Sequence, residues 1–465
     1  MKPTILLINP PGKEIYLRDI FHSFSSKGRY LWQPTDLVFL SGRLKNDFEL
    51  EIIDAIAERA SAEAIYSRLQ GKSYHAMIGL SGSVSFRSDM AFFEKLVEIT
   101  GSRLILMGDL VRYQFRQVLA RYPFVHAVLD DFSSEDILTY LKDEKALDQP
   151  RAMAVRKNGS FTEMILPATT RVINIPVPRH DLFPLQAYGH PNNRSRPMAT
   201  ILGSVGCPFQ CGYCSQSTRN YKFREAENIL EEIEYLQSLG CREILFRDQL
   251  MEAVPKNFLA LLEGIVKKKW RLGWTCNARV DTLKREWLPL MKAAGCHTII
   301  FGVENPSQKI LDDWNTKKCN DQTKALFDEV RKNGIDPCGY FILGLPGETK
   351  EDVLRTIDYA VHLNPALASF SLPSPDFGTK LREIAIQKGI LSDDLENTDR
   401  SADATLLNDL IGPGELQKLR SLAYRRFYFR PSYFISSLRS IQSWIQFRFY
   451  ISEFFHMAKG LFLAQ

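Results

Sequence analysis

Short apolar runs alternate with helical patterns over the first 150 residues, stop in a proline-punctuated stretch, and start again at Met198. No other feature of the chain restricts its fold so much. Ile5–Asn9, Leu50–Ile53, Ala76–Leu80, Leu104–Met107 and Ala127–Leu129 read as strands. Leu37–Asn46, Ser61–Leu69, Asp89–Thr100, Tyr113–Arg121 and Ser134–Leu141 read as the helices between and after them. A helix-sized crossover returns the chain in the same direction, so such strands pair in parallel. The expectation for residues 1–150 is an α/β, doubly wound (Rossmann-like) sheet that takes ligands beyond the carboxyl ends of its strands.

Residues 151–196 carry Ile175-Pro176-Val177-Pro178 and Arg194-Ser195-Arg196-Pro197 and read as an irregular linker. In the second series the strands are Ala199–Ser204, Glu243–Phe246, Gly273–Asn277, Thr298–Val303, Asp336–Leu343 and Ala368–Leu372. Helical stretches fall near 225–239, 256–268, 284–294, 320–333 and 349–363. Six strands with five helical stretches between them predict a partial (β/α) barrel over 197–380, with chemistry at the carboxyl ends of the strands. Residues 381–465 lose the alternation and read as a helical extension with a basic, aromatic tail. From Glu415 onward there are eight Lys/Arg against two Asp/Glu, a net of +6 where the whole chain carries +5. The basic character therefore belongs to the tail. No stretch approaches about 18 uninterrupted apolar residues, so a spanning helix is not expected. The eight cysteines have no disulfide-like pattern, which fits a reducing, cytoplasmic setting.

Three of those cysteines stand together. Cys207-Pro208-Phe209-Gln210-Cys211-Gly212-Tyr213-Cys214 follows the first barrel strand directly. Thiolates are soft ligands suited to iron–sulfur clusters. Three ligands on a four-iron cluster leave one iron open, as a substrate-binding cluster requires. Gly206 and Gly212 let the backbone run close to an inorganic core. A closed zinc site would need a fourth nearby ligand, and Cys241, Cys276, Cys296, Cys319 and Cys338 are scattered singly.

The C-x3-C-x2-C spacing, with an aromatic residue before the last cysteine, resembles the radical S-adenosylmethionine (SAM) superfamily. Phe246-Arg247-Asp248-Gln249, Cys276-Asn277-Ala278-Arg279-Val280-Asp281, Phe301-Gly302-Val303-Glu304, Phe341–Thr349 and Leu372-Pro373-Ser374-Pro375 look like that family's later strands. The resemblance implies a 4Fe-4S cluster on Cys207, Cys211 and Cys214. The open iron chelates SAM, and one electron cleaves its C–S bond. The resulting 5′-deoxyadenosyl radical abstracts a substrate hydrogen. It also implies Tyr213 near the adenine, Arg279 at the SAM carboxylate, Glu304 at the ribose, and an amino-group contact from Asp248 or Gln249. Gly344–Gly347 reads as a tight turn, with Glu348 in the first turn of the next helix.

The first 145 residues resemble the cobalamin-binding subfamily, on Asn9-Pro10-Pro11-Gly12, on Leu37–Asn46 with Ile53-Asp54-Ala55, and on Ala76–Ser83. That resemblance would place a corrin and its nucleotide tail against Ser81, Gly82, Ser83 and Gly108. The chain departs from the pattern: no Asp is followed two residues later by His, so a cobalt-ligating His in its usual context is absent. The alternative is a domain that only shapes a substrate pocket. The aromatic, basic segment from Tyr16 to Pro34 is read as a cap or as packing. The tail, with 13 aromatics after Glu415, is read as peripheral membrane contact or as packing, ahead of nucleic acid. The functional expectation is hydrogen abstraction from an unactivated carbon of a hydrophobic, lipid-like substrate, with flavodoxin or ferredoxin as electron donor. The alternative is cobalamin-dependent C-methyl transfer. Cys338 and Tyr340 are candidates for quenching the product radical.

Overall fold

The computed structural model describes residues 2–19, 22–26, 30–144, 150–157, 159–164, 171–391 and 407–433, with Trp444 and Phe447. The aromatics of the tail beyond Tyr433, Trp444 and Phe447 apart, and Lys27–Arg29, lie outside the described residues. The chain divides into one compact unit up to Gly189 and a second from His190 onward.

In the first unit, β1 (Thr4–Asn9) is followed by an antiparallel pair, β2 (Tyr16–Leu17) and β3 (Phe24–Ser25). β4 (Glu49–Asp54), β5 (Ala76–Leu80), β6 (Leu104–Met107) and β7 (Val125–Leu129) complete a parallel sheet in the order β4-β1-β5-β6-β7. Ile5 to Ile8, Ala76 to Ile78 and Leu104 to Met107 are wholly buried. Such unbroken apolar strands belong to a sheet with helices on both faces. The order reverses between β1 and β5, so the ligand crevice of this topology lies beyond Asn9 and Leu80.

Two expectations need correction here. Residues 151–196 are not irregular throughout: β8 (Met153–Lys157) pairs antiparallel with β7, and β9 (Ser160–Phe161) with β8. They cover the edge that β7 would otherwise expose. Tyr113–Arg121 is not one helix, because Gln114 leaves helical geometry (φ −105°, ψ 24°) between Asp109–Tyr113 and Phe115–Arg121.

The second unit begins with β10 (Met198–Ile201), then β11 (Ser204–Val205) and β12 (Lys222–Phe223), which pair antiparallel. β13 (Glu243–Phe246), β14 (Gly273–Arg279), β15 (Cys296–Glu304), β16 (Asp336–Ile342) and β17 (Leu367–Ser371) follow. The order β10-β13-β14-β15-β16-β17 is parallel throughout, a partial barrel. Alternate residues face opposite sides of a strand. The outward side chains meet helices: Phe301 packs on Phe327 at 5.2 Å, and Phe370 on Tyr424 at 5.4 Å. On the other face Asn277, Tyr340, Ser369 and Ser371 keep partial exposure, so the inside of the barrel is open and partly polar.

One end of the barrel is closed. Glu243, His297 and Asp336 lie at the amino ends of their strands, and residues 190–197 cross them. Arg194 pairs with Asp336 at 2.7 Å, Ser195 donates its N–H and hydroxyl to Glu243 at 3.0 Å, and His297 Nε2 lies 2.7 Å from the other oxygen of Glu243. At the far edge the helix Pro413–Tyr428 covers β17: the Tyr428 hydroxyl accepts from the Ala368 N–H (3.1 Å) and donates to its carbonyl (2.7 Å). Tyr424, Phe427, Tyr428 and Tyr433 of the tail therefore pack against one another and this wall. No helix among the described residues is long and apolar enough to cross a membrane.

Arg224, between β12 and the helix Ala226–Ser238, is 1% exposed and paired with Glu232, equally buried, at 2.5 Å. Removing one partner strands the other charge. Arg224→Ala is expected to cost about 3–5 kcal/mol of unfolding free energy, and Arg224→Met/Glu232→Leu distinctly less, in urea titrations of both variants.

Candidate active site

The cysteine loop is fixed at both ends by backbone and buried charge. At its start, Ser204 and Val205 pair with Phe223 and Lys222. The buried Asp248 carboxylate accepts from the Gly203 N–H at 2.9 Å and from the Ser204 hydroxyl at 2.6 Å. Gly206 has φ +77°, and a Cβ there would meet the carbonyls of Asn220 and Arg219 at 2.9 and 3.0 Å. Further on, the Gly212 N–H donates to Trp314 O at 2.9 Å, the Leu381 N–H donates to Gly212 O at 3.1 Å, and Asn315 Nδ2 donates to Gln210 O at 3.0 Å.

The residues 314–318 that receive the loop also reach two strand ends. Asn315 and Lys317 sit in the left-handed region (φ 51° and 50°). Thr316 O accepts from both terminal nitrogens of Arg279, the last residue of β14, at 3.2 Å. Lys318 is 3% exposed; its ammonium donates to Gly302 O at 2.6 Å and lies 3.4 Å from Glu304, the last residue of β15. Glu304 itself has φ +65°, beside a register shift in the β15–β16 ladder. Such backbone costs about 1–3 kcal/mol and persists only where its surroundings hold it.

The expected site residues do come together, though several are engaged differently than expected. Tyr213 packs on Trp314, ring centroids 6.4 Å apart. Arg279 forks onto Asp281 at 2.8 and 2.9 Å and lies over the Phe209 ring, 3.6 Å from its centroid. Its guanidinium is thus committed to the cysteine loop and to its own strand end. Asp248 is spent on Gly203 and Ser204, and Gln249 beside it is partly exposed. Glu348 is a correction. The next helix starts at Lys350 under a Thr349 capping box, and Glu348 lies buried before it, accepting from the Leu345 N–H at 2.6 Å and Asn305 Nδ2 at 2.5 Å. Burial pushes its carboxyl up to about 7.

Lys318 and Glu252 escaped the sequence reading. Glu252, 3% exposed and pushed up to about 7 by burial, accepts from the Arg279 N–H (3.1 Å) and the Thr282 hydroxyl (2.8 Å). The long connection after β15, at the strands' carboxyl end, was the available signal for Lys318.

The donor set suits an iron–sulfur cluster. The three thiols lie close enough that each ionised neighbour raises the next; burial is the larger cause and takes Cys214 up to about 12, while Arg279 and Lys318 pull Cys207 and Cys211 back. Iron replaces the protons of thiols that would otherwise keep them. Among the described residues no three His, Cys, Asp or Glu side chains are placed to close on a single ion. Cys241, Cys276, Cys296 and Cys338 are buried away in the strands and loops, and Cys319 is exposed.

Residues 201–360 match the family model described as the Radical SAM superfamily. That stretch is a radical SAM domain. Its class brings a 4Fe-4S cluster and SAM as cofactors, and Cys207, Cys211 and Cys214 are the residues that fit the cluster. Among curated relatives, an uncharacterised methyltransferase of Pyrococcus horikoshii is 26% identical and aligns over 93% of this chain and 94% of its own length. An anaerobic magnesium-protoporphyrin IX monomethyl ester cyclase of Cereibacter sphaeroides is 24% identical over 90% of this chain and 71% of its own length. Among solved structures, the radical SAM methyltransferase TsrM from Kitasatospora setae, with cobalamin and a 4Fe-4S cluster bound, superposes with a TM-score of 0.68 at 17% identity, covering 83% of this chain and 78% of its own. That likeness confirms the α/β architecture of sheet and partial barrel.

The fold is shared with an enzyme that holds cobalamin, and the residues of the first unit here do not fit that group. A Cβ on Gly108 would lie 1.7 Å from Ser81 O, and a Cβ on Gly82 2.7 Å from Ser23 Cβ. Ser83 is bound through its N–H and hydroxyl to Asp109. Gly82, Ser83 and Gly108 are in contact with the chain itself, while the buried hydroxyl of Ser81 has no partner among the described residues.

Two measurements bear on the radical SAM site. Gly206 and Gly240 share φ +77°, but only Gly206 has atoms crowding its missing Cβ. Gly206→Ala is expected to lower the iron bound on reconstitution, and Gly240→Ala to cost only the strain, about 1 kcal/mol; iron assays and denaturation of both variants decide it. For Glu348 the native carboxyl holds its proton to about 7, and the unfolded one releases it near 4.5. The native state binds more protons in that window, so its contribution is complete at low pH and declines as pH rises from about 4.5 to 7, by at most about 3 kcal/mol. Glu348→Gln is expected to flatten that slope in pH-dependent denaturation.

Proposed function

We propose that this radical SAM enzyme transfers a methyl group to a carbon atom of its substrate. The observation that carries the radical chemistry is the three-thiol loop clamped at the carboxyl end of the partial barrel. The relatives' names supply the direction: methyltransferase is the word attached to a relative that aligns over 93% of this chain and 94% of its own length. They favour methyl transfer over hydrogen abstraction from a lipid-like substrate as the overall reaction.

The cluster, when bound, supplies the electron that splits the C–S bond of SAM and yields the deoxyadenosyl radical. The chain's own residues do the rest. Cys207, Cys211 and Cys214 hold the cluster. Lys318 and Arg279 set positive charge beside the thiolates, where it opposes the accumulation of negative charge in a partly buried site. Glu304, kept in place by Lys318, offers its carboxylate to the ribose hydroxyls. Tyr213, packed at a tilt against Trp314, walls the adenine side. Asn277, Tyr340 and Ser369 give the barrel interior polar groups, which suits a substrate with polar substituents better than a wholly apolar lipid. The electron comes from a one-electron donor of the flavodoxin or ferredoxin kind.

A second reading, rearrangement, coupling or oxidation without cobalamin, is favoured by the filled crevice of the first unit. One experiment separates the two. The reconstituted enzyme is given dithionite, methyl-deuterated SAM and a small-molecule extract of the cells that make it. Methyl transfer predicts S-adenosylhomocysteine, 5′-deoxyadenosine and a deuteromethyl product together, with deoxyadenosine down about 100-fold or more in Cys207→Ala, as for loss of an essential group. Deoxyadenosine with neither S-adenosylhomocysteine nor label in any product rejects methyl transfer in favour of the second reading.

A further inference from the structure

The ligand crevice of a doubly wound sheet opens where strand order reverses, here between the ends of β1 and β5. Its two banks are Asn9-Pro10-Pro11 and Ser81–Asp89. In this chain one side chain spans them. Arg18, fully buried, donates to Asn9 Oδ1 (3.0 Å) and to the carbonyls of Pro10 (2.9 Å) and Pro11 (3.3 Å) on one bank. On the other it donates to the Ser85 hydroxyl (3.0 Å) and forks onto Asp89 (2.7 and 3.1 Å). Both charged groups of the Arg18–Asp89 pair are 0% exposed.

Ser23, from the same segment, fills the neighbouring space. Its N–H and hydroxyl donate to Asp109 at 3.0 and 2.8 Å, its hydroxyl lies 2.9 Å from that of Ser83, and its side chain sits over Gly82. Arg18 directly follows β2 and Ser23 directly precedes β3, so the pairing of these two strands holds both at the crevice. The lining is also of the wrong sign for a nucleotide. Asp54 ends β4, Asp89 lies in the first turn of the helix after β5 and Asp109 opens the helix after β6; all three are buried, and a cobalamin tail carries a phosphodiester. Carboxylates in a crevice recruit a cation, and Arg18 is that cation.

We infer that the first unit is closed to corrinoids, because Arg18 and Ser23 occupy the crevice as built-in ligands. The site that the fold would give to a cofactor is spent on holding β1, β5 and their loops together. Methyl transfer, if it is the reaction, then proceeds without a corrin in this crevice. The inference stands whether or not the proposed reaction is right, since its readout is binding and not turnover.

The test uses the full, cluster-reconstituted wild-type chain. Hydroxocobalamin at about 50 μM is added anaerobically, the protein is passed through a desalting column, and corrin absorbance is read per chain. In parallel, hydrogen exchange is followed at the Leu17, Ser23 and Ser26 amides, with and without hydroxocobalamin. The closed crevice predicts no retained corrin and protection of these amides by about 100-fold or more over unstructured peptide, unchanged by the addition. Corrin retained at near one per chain overturns the inference. So does exchange of these amides at the unstructured rate, which would show the segment to be outside the crevice in solution.

Discussion

Both peptide groups of Gly212 are hydrogen-bonded to other parts of the second unit, and the active site depends on this. Its N–H goes to Trp314 and its carbonyl to Leu381. Trp314 begins the turn whose later members reach Arg279 through Thr316 and Glu304 through Lys318. The cysteine loop, the end of β14 and the end of β15 therefore form one connected object. A Cβ at residue 212 would lie 3.3 Å from the Trp314 ring and 3.4 Å from the Lys380 side chain, which favours glycine at that position. The left-handed residues Asn315 and Lys317 are intelligible in the same way: their strain is offset by the contacts they aim.

What could be read from the sequence was what is local in it. Strands buried on both faces appear as unbroken apolar runs, and Ala76–Leu80, Leu104–Met107 and Glu243–Phe246 fall where those runs are. The cysteine triad is local as well, because one loop holds it. Lys318 and Glu252 are not. Lys318 works on Glu304 from the far end of a loop, and Asn315 meets Gln210 from 105 residues away. No periodicity records such a pairing. Glu348 carried a plausible local reading, an acidic residue opening a helix, and lost it to a buried hydrogen-bonded position set by Asn305. β8 and β9 went unseen because proline and charge flank them, while the open edge of β7 recruits them in the fold.

The Arg18 segment shows the same limit from another side. An aromatic, basic stretch after β1 admits a cap or simple packing, and its meaning rests on Asp89, 71 residues on. The fold is shared with enzymes that hold a corrin, and a fold does not carry its ligands with it. Whether a crevice is a binding site depends on the few side chains that face it. Here a charged pair, two serines and a close backbone contact at Gly108 determine the outcome.

The seal across the amino ends of β13, β15 and β16 has a kinetic meaning. With Arg194, Ser195 and Asn192 laid over Glu243, His297, Asp336 and Cys338, the barrel is a cup rather than a tunnel. A barrel floored in this way admits nothing past the amino ends of these strands, so every reactant enters and leaves on the side where the cysteine loop stands.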